Sequence, residues 1–174
     1  MNDRLIKKIK LLKQSKYRKV KSQFVAEGKR LVREAINCGD AVDLLLCTKT
    51  FYEKNKNDWQ GFLEAGNTMI EIITDSQFKS ISSTSTPSGI AALCNIPRNS
   101  YIDFKVREWI YLDKIRDPGN LGTILRSALW FGFKNIILSS ESVDPYNPKA
   151  IRSGMGSHFG LNLYQSIRLN DFIK

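Results

Sequence analysis

At 174 residues, with 42% apolar and 10% aromatic side chains, the chain can bury one sizeable core or two small ones, which excludes global disorder. No apolar run approaches the roughly 18–20 residues that a membrane span needs, and the basic N-terminus lacks the apolar stretch and small-residue cleavage site of a secretory signal. The net charge of +10 sits in one place: residues 1–33 hold 12 Lys/Arg and two acids, Asp3 and Glu27, whereas residues 34–174 hold 15 of each.

A positive field so concentrated favours a polyanionic partner, with affinity that falls steeply with salt. The N-terminus is rich in Lys rather than in the Arg and Ser of organellar transit peptides, so the expected location is cytoplasmic. Cys38, Cys47 and Cys94 show no C-x-x-C spacing and each lies in or beside an apolar stretch, where a free Cys behaves as a small buried hydrophobe. With one His in the chain, neither a zinc site nor a Cys/His catalytic pair can be assembled, and no metal is expected.

Arg4–Gln14 places Leu5, Ile9 and Leu12 on one helical stripe and Lys7, Lys8, Lys10 and Lys13 elsewhere on the surface. A membrane-surface helix has the same pattern, but no large aromatic occupies the apolar side and a globular chain follows. Ser15–Ser22 adds Lys16, Arg18, Lys19 and Lys21, which suit phosphates. Tyr17 within it is suited equally to stack on an exposed base or to pack.

Gln23–Ala26 reads as a strand, followed by a helix to about Asn37 with Leu31, Val32, Ala35 and Ile36 inward and Gly39 as its stop. Arg30 lies near the start of that helix. Val42–Thr48 is a strand, Phe51–Ala65 a helix, and Met69–Thr74 a strand. Ser76–Ile81 is a short helix behind an Asp75 or Ser76 cap. The loop Ser82–Ser88 precedes a strand at Gly89–Ile96. The alternation predicts a small α/β domain over residues 1–98. Residues 99–107 have the composition of a linker, and a second domain follows over 108–174.

In that second part, Trp109–Leu112 is a strand end, Asp113–Gly119 a tight loop, and a helix starts at Asn120 as its N-cap. Ile124, Leu125, Ala128 and Leu129 form its apolar stripe, leaving Thr123, Arg126, Ser127 and Trp130 on the other side. Gly132 ends it and Lys134–Ser139 is the next strand. This is a βαβ unit, which places binding groups at the carboxyl end of its first strand. A turn-rich loop, Ser140–Pro148, leads to a short helix at Lys149–Ser153. The G-x-G at Gly154–Gly156 follows a helix rather than a strand, so it fails as a dinucleotide fingerprint. His158 is a candidate general base or a packed side chain. Leu161–Ser166 makes a third strand, and Asp171–Lys174 begins a helix.

Asp117-Pro118-x-Asn120-x-Gly122-x-Ile124-x-Arg126-x-Ala128, followed by Phe131-Gly132, resembles the first motif of the SpoU/TrmH family of RNA ribose 2′-O-methyltransferases, of the SPOUT (knotted) class. Asp144-Pro-x-x-Pro148-Lys149-Ala-x-Arg152-Ser153-x-Met155-Gly156 resembles the stretch after that family's second strand. The runs Phe24–Ala35 and Ser82–Ile90 are similar to the RNA substrate-binding domain that precedes the methyltransferase in many members. The resemblance implies an α/β fold: a small α/β RNA-binding domain followed by the first half of a Rossmann-like SPOUT domain.

It also implies S-adenosylmethionine as methyl donor, structured rRNA or tRNA as substrate, and a homodimer. It puts Arg126 at the reacting centre with Asn120 in support. A guanidinium stays protonated at neutral pH, so Arg126 would act by electrostatics on a phosphate and a developing alkoxide. The RNA contacts would come from Lys7, Lys8, Lys10, Lys13, Lys16, Arg18, Lys19, Lys21 and Arg30. The family builds its cofactor pocket mainly from two later motifs that do not occur here. The expectation is therefore a chain cut short, or a non-catalytic RNA-binding protein derived from the family.

Overall fold

The computed structural model describes residues 3–39, 41–65, 69–97, 102 and 108–172. The chain divides into two compact units, Met1–Pro97 and Arg98–Lys174. The expected linker, 99–107, lies outside the described residues except for Ile102.

The first unit runs α1 (Asp3–Leu11), α2 (Ser15–Lys21), β1 (Gln23–Glu27), α3 (Lys29–Asn37), β2 (Val42–Thr48), α4 (Lys49–Ala65), β3 (Met69–Ile73), α5 (Asp75–Ile81) and β4 (Ile90–Asn95). Its sheet has the order β1-β4-β2-β3, with β4 antiparallel to both neighbours and β2 parallel to β3. The unbroken apolar run of β2 follows from its central place, because both of its faces are covered. Leu44 and Leu46 face a core with Ile6, Ile9 and Leu12 of the α1 region and with Phe78 and Ile81 of α5. Leu45 and Cys47 face α4, where Phe51 and Trp59 meet edge to face at 5.7 Å. Burying each such side chain contributes roughly 1.5–3 kcal/mol.

Three details differ from expectation, and the segment after α1 gains an assignment that its sequence pattern did not give. The stripe of α1 is Ile6, Ile9 and Leu12, with Leu5 only partly buried. The basic segment after it is a helix, α2, because Arg18 turns inward and anchors it. α5 begins one residue early, capped by Thr74 in a capping box with Gln77. Cys47 and Cys94 are buried as expected, and burial raises the Cys47 thiol to about 11 and the Cys94 thiol further. Cys38, just past the end of α3, is exposed.

The second unit runs β5 (Ile110–Leu112), α6 (Pro118–Trp130), β6 (Asn135–Leu138), α7 (Pro148–Gly154), a 3-10 turn (Ser157–Phe159), β7 (Asn162–Tyr164) and α8 (Leu169–Phe172). The strands form a parallel sheet in the order β5-β6-β7. Ile136, Ile137 and Leu138 of the central strand are buried, again as a strand covered on both faces requires. Trp109 closes one side, with ring centroids 5.4 Å from Tyr164 and 5.3 Å from Phe172.

Candidate functional site

α6 starts two residues before Asn120. Asp117 is its N-cap and Pro118 its first residue, so Asn120 is not the cap. The Asn120 backbone N–H donates to Asp117 Oδ1 at 2.8 Å. A carboxylate suits that place, because it accepts an orphan N–H and faces the positive end of the helix dipole. Pro at the first helical turn needs no N–H partner; the Asp-Pro pair was the sequence signal for this cap. Lys149 Nζ donates to the other oxygen, Asp117 Oδ2, at 2.8 Å. The Lys149 hydrogen bond, then that of Asn120, holds the Asp117 carboxyl below its ordinary value. Asn147 and Pro148 start α7 in the same way. One ion pair thus ties the first turns of two helices together.

The helices touch at Gly122. A Cβ there would fall 2.7 Å from the Gly154 amide nitrogen and closer still to Ser153 Oγ and the Ala150 carbonyl. Only glycine permits that approach. Leu121, Gly122, Leu125 and Ala128 are buried, while Asn120, Thr123, Arg126, Ser127 and Trp130 form a continuous exposed side. Asn120, Thr123 and Arg126 follow one another at i, i+3 spacing and so line one flank.

Arg126 is exposed, and its Nη1 donates to Met155 Sδ at 3.1 Å. Met155 and Gly156 both adopt positive φ, 50° and 99°. A left-handed Met is uncommon, and such strain concentrates at functional sites. Met155 belongs to the second motif of the sequence, but its place beside Arg126 was not legible there, since nothing in a Met-Gly pair shows which arginine it will meet. At the C-terminal end of the same helix, Trp130 and its C-cap Phe131 are 85% and 75% exposed.

His158 is 3% exposed and packs against Tyr146. Its Nε2 lies 2.8 Å from the Pro145 carbonyl, which requires the proton on Nε2. Burial lowers its pKa to about 4. A general base must reach substrate, so His158 is a packed residue that holds the loop before α7.

In the first unit, Lys7, Lys8 and Lys10 on α1, Lys16, Lys19 and Lys21 on α2, and Arg30 on α3 are exposed. Lys13 is exposed too, with its Nζ donating to the Ser80 carbonyl at 2.9 Å. Arg18 is the exception. It is 2% exposed and donates through Nη1 to the carbonyls of Leu12, at 2.7 Å, and Lys13, at 2.9 Å. It satisfies backbone acceptors at the α1–α2 junction and does not face solvent as a phosphate contact would. Among the described residues, no group of three His, Cys, Asp or Glu could hold a metal.

Comparison with known proteins adds to this geometry. Residues 3–92 match the MRM3-like substrate binding domain, and residues 108–174 match the SpoU rRNA Methylase family. The 23S rRNA (guanosine(2553)-2′-O)-methyltransferase RlmP of Bacillus subtilis is 32% identical over 88% of this chain and 58% of its own length. The mitochondrial rRNA methyltransferase 3 of Xenopus laevis is 32% identical over 94% of this chain and 40% of its own. Among solved structures, an AdoMet-bound rRNA methyltransferase from Sinorhizobium meliloti superposes with a TM-score of 0.78 at 27% identity, covering 97% of this chain and 63% of that one. The chain thus spans about two fifths to three fifths of the length of the relatives it matches.

Proposed function

The chain belongs to the SpoU rRNA methylase family and carries an MRM3-like substrate binding domain, and on that premise we propose that it acts in S-adenosylmethionine-dependent methylation of a ribose 2′-hydroxyl in rRNA. The observation that carries the reading is Arg126, solvent-facing on α6 and held at Met155, with Asn120 and Thr123 on the same flank. The named activities of the RlmP and rRNA methyltransferase 3 relatives support the substrate class, and the AdoMet-bound structure supports the donor.

When bound, S-adenosylmethionine supplies a methyl group on a sulfonium, so the protein's task is alignment and charge. Arg126 holds a phosphate beside the target ribose and lowers the cost of negative charge at O2′. It has five donors and no acceptor, so the hydroxyl proton leaves to a phosphate oxygen or to water. Asn120, in the first turn, keeps the loop and α6 in place through Asp117.

The described loops at the carboxyl ends of β5 and β6 are tied to one another by their own polar groups. The Lys114 and Ile115 amides donate to Ser139 Oγ and Ser142 Oγ, and the Val143 amide to the Ile115 carbonyl.

The reading includes a homodimer, in which a second copy covers Trp130 and Phe131; exposed aromatics side by side mark interaction surfaces. Acting on ribosomal RNA, the protein would work where ribosomes are made; the reading takes this to be the cytoplasm, as for a bacterial relative, although the rRNA methyltransferase 3 relatives are mitochondrial. No helix among the described residues is long and apolar enough to cross a membrane.

Calorimetric titration with S-adenosylmethionine, followed by methyl incorporation into rRNA, tests the reading. Saturable binding and incorporation at a 2′-hydroxyl are expected. RNA binding without either would leave the non-catalytic RNA-binding alternative.

A further inference from the structure

We propose that the groove between α1 and α2 docks the sugar-phosphate backbone of a base-paired RNA segment. The groove has a volume of about 590 Å³ and is lined by Arg4, Leu5, Lys7, Lys8, Leu11 and Lys21. Four of these six are cations, and among them there is no acid and no aromatic ring. The inference rests on the RNA-binding reading above and says where on the first unit, and in what form, the RNA is held.

The walls are rigid before any RNA arrives. α1 is fixed from beneath by Ile6, Ile9 and Leu12, which sit in the same core as Phe78 and Ile81. α2 is fixed to it by Arg18, whose guanidinium holds the Leu12 and Lys13 carbonyls at the turn between them. Lys13 adds a tie to the Ser80 carbonyl, near the end of α5. Arg18, which composition alone would assign to phosphate contact, is the strut that sets the two walls. Cations on a preformed scaffold lose less freedom on binding than cations on a flexible tail.

The lining selects among polyanions. A helix lying in a membrane surface inserts its apolar stripe into lipid, but the α1 stripe is already buried in the domain. Single-stranded RNA is gripped by aromatic side chains on which bases stack. Tyr17 and Phe24, the aromatics nearest in sequence, instead pack inward, Tyr17 partly buried against the core and Phe24 fully buried. What remains suits the feature that paired RNA presents everywhere, its phosphates and riboses, read by shape and charge rather than by base. Arg4, Lys7 and Lys8 form one line along α1 by their i, i+3, i+4 spacing. Lys21 reaches the groove from the other wall, and Leu5 and Leu11 offer a floor for sugar faces.

The test compares the full chain with Arg4→Gln/Lys7→Gln/Lys8→Gln/Lys21→Gln. A control of equal charge loss is Lys54→Gln/Lys56→Gln/Lys79→Gln/Lys134→Gln. Circular dichroism checks each fold. Binding to an RNA hairpin, to a single strand of the same length and to anionic phosphatidylserine vesicles is measured over a range of salt.

The wild type should prefer the hairpin. The groove variant should lose about 100-fold in hairpin affinity, and its plot of log affinity against log salt should flatten by about 3. The control should keep its affinity within a few fold. If the quadruple variant misfolds, Arg4→Gln/Lys7→Gln and Lys8→Gln/Lys21→Gln should each lose about 10-fold. Equal hairpin binding by wild type and groove variants would overturn the inference and leave the RNA reading standing. So would a wild-type preference for the single strand, or groove-dependent binding to vesicles without binding to RNA hairpins. A wild type that binds no RNA at all would end the RNA reading itself.

Discussion

Arg126 and Met155 meet across the α6–α7 pair, with the guanidinium Nη1 3.1 Å from the thioether sulfur. The contact is one weak acceptor for one of five donors, so it aims the side chain without using it up. Met155 reaches that point only because its backbone is left-handed, at φ 50°. Met155→Leu keeps the volume and removes the sulfur. Its stability should change by less than about 1.5 kcal/mol, while methyl-transfer turnover falls roughly 10-fold through misplacement of Arg126. Arg126→Lys should cost turnover about 100-fold or more, because an ammonium cannot reproduce the forked contact with phosphate. Methyl incorporation and thermal melting measure both, and a Met155→Leu variant with wild-type turnover would remove Met155 from the site.

The exposed pair Trp130 and Phe131 predicts the assembly state. Trp130→Glu/Phe131→Glu should leave the fold intact, since neither ring is packed in the core. Sedimentation should find a dimer for the wild type and a monomer for the variant. A wild type that sediments as a monomer at tens of micromolar would contradict the dimer.

Gly122 predicts the cost of spacing α6 away from α7. In Gly122→Ala the new methyl group meets backbone, the Ala150 carbonyl and the Gly154 nitrogen, neither of which can swing aside. Destabilisation of about 3 kcal/mol is expected from overpacking. Gly119→Ala is the control. Its Cβ would meet Asp117 Oδ1 at 2.9 Å and Lys149 Cε at 3.1 Å, side-chain atoms rather than backbone, so the loss is expected to be smaller, about 1 kcal/mol, the scale of a disturbed cap. Urea unfolding followed by tryptophan fluorescence separates the two.

His158 predicts an acid limb of stability. Burial first, opposed by the Pro145 hydrogen bond and the charge of Asp144, lowers its pKa to about 4, against about 6.5 in an unfolded chain. Between those values the unfolded state binds more protons than the folded one. The contribution is therefore complete above pH 6.5, declines as the pH falls, and is lost below about pH 4. Its full size is roughly 3 kcal/mol. Urea midpoints should drop more steeply between pH 6.5 and 4.5 in the wild type than in His158→Gln, and parallel curves would refute the assignment.

Glu27 predicts a locally fastened loop. Its carboxylate accepts from Ser82 Oγ at 2.5 Å, the Ser83 amide at 3.0 Å and Thr84 Oγ1 at 3.0 Å. Glu27→Gln turns an amide N–H₂ toward those donors and should cost about 1–3 kcal/mol. Proteolysis within Ser82–Ser88 should quicken, and unchanged cleavage would show that the loop holds without it.

Much of this was legible in the residues. The apolar runs at Val42–Thr48 and Ile136–Leu138 marked buried strands, and the polar flank of α6 marked Arg126 as a solvent-facing cation. These signals are local: they depend on periodicity and turn chemistry within a few residues of one another. Helix starts were less legible. Thr74 and Asp117 cap their helices where Asp75 or Ser76, and Asn120, were expected, because several good cap residues in a row are chemically equivalent until the chain chooses one.

Sequence alone determined the two α/β blocks, the concentration of charge in residues 1–33 and the motif around Arg126, all set by neighbouring residues. Only the tertiary structure decided that Arg18 turns inward while Lys7, Lys8 and Lys21 stay in solvent. It also paired Lys149 with Asp117 and Met155 with Arg126. Those choices depend on which backbone carbonyls and helix ends folding leaves unsatisfied, and on which distant side chains it brings within reach of them.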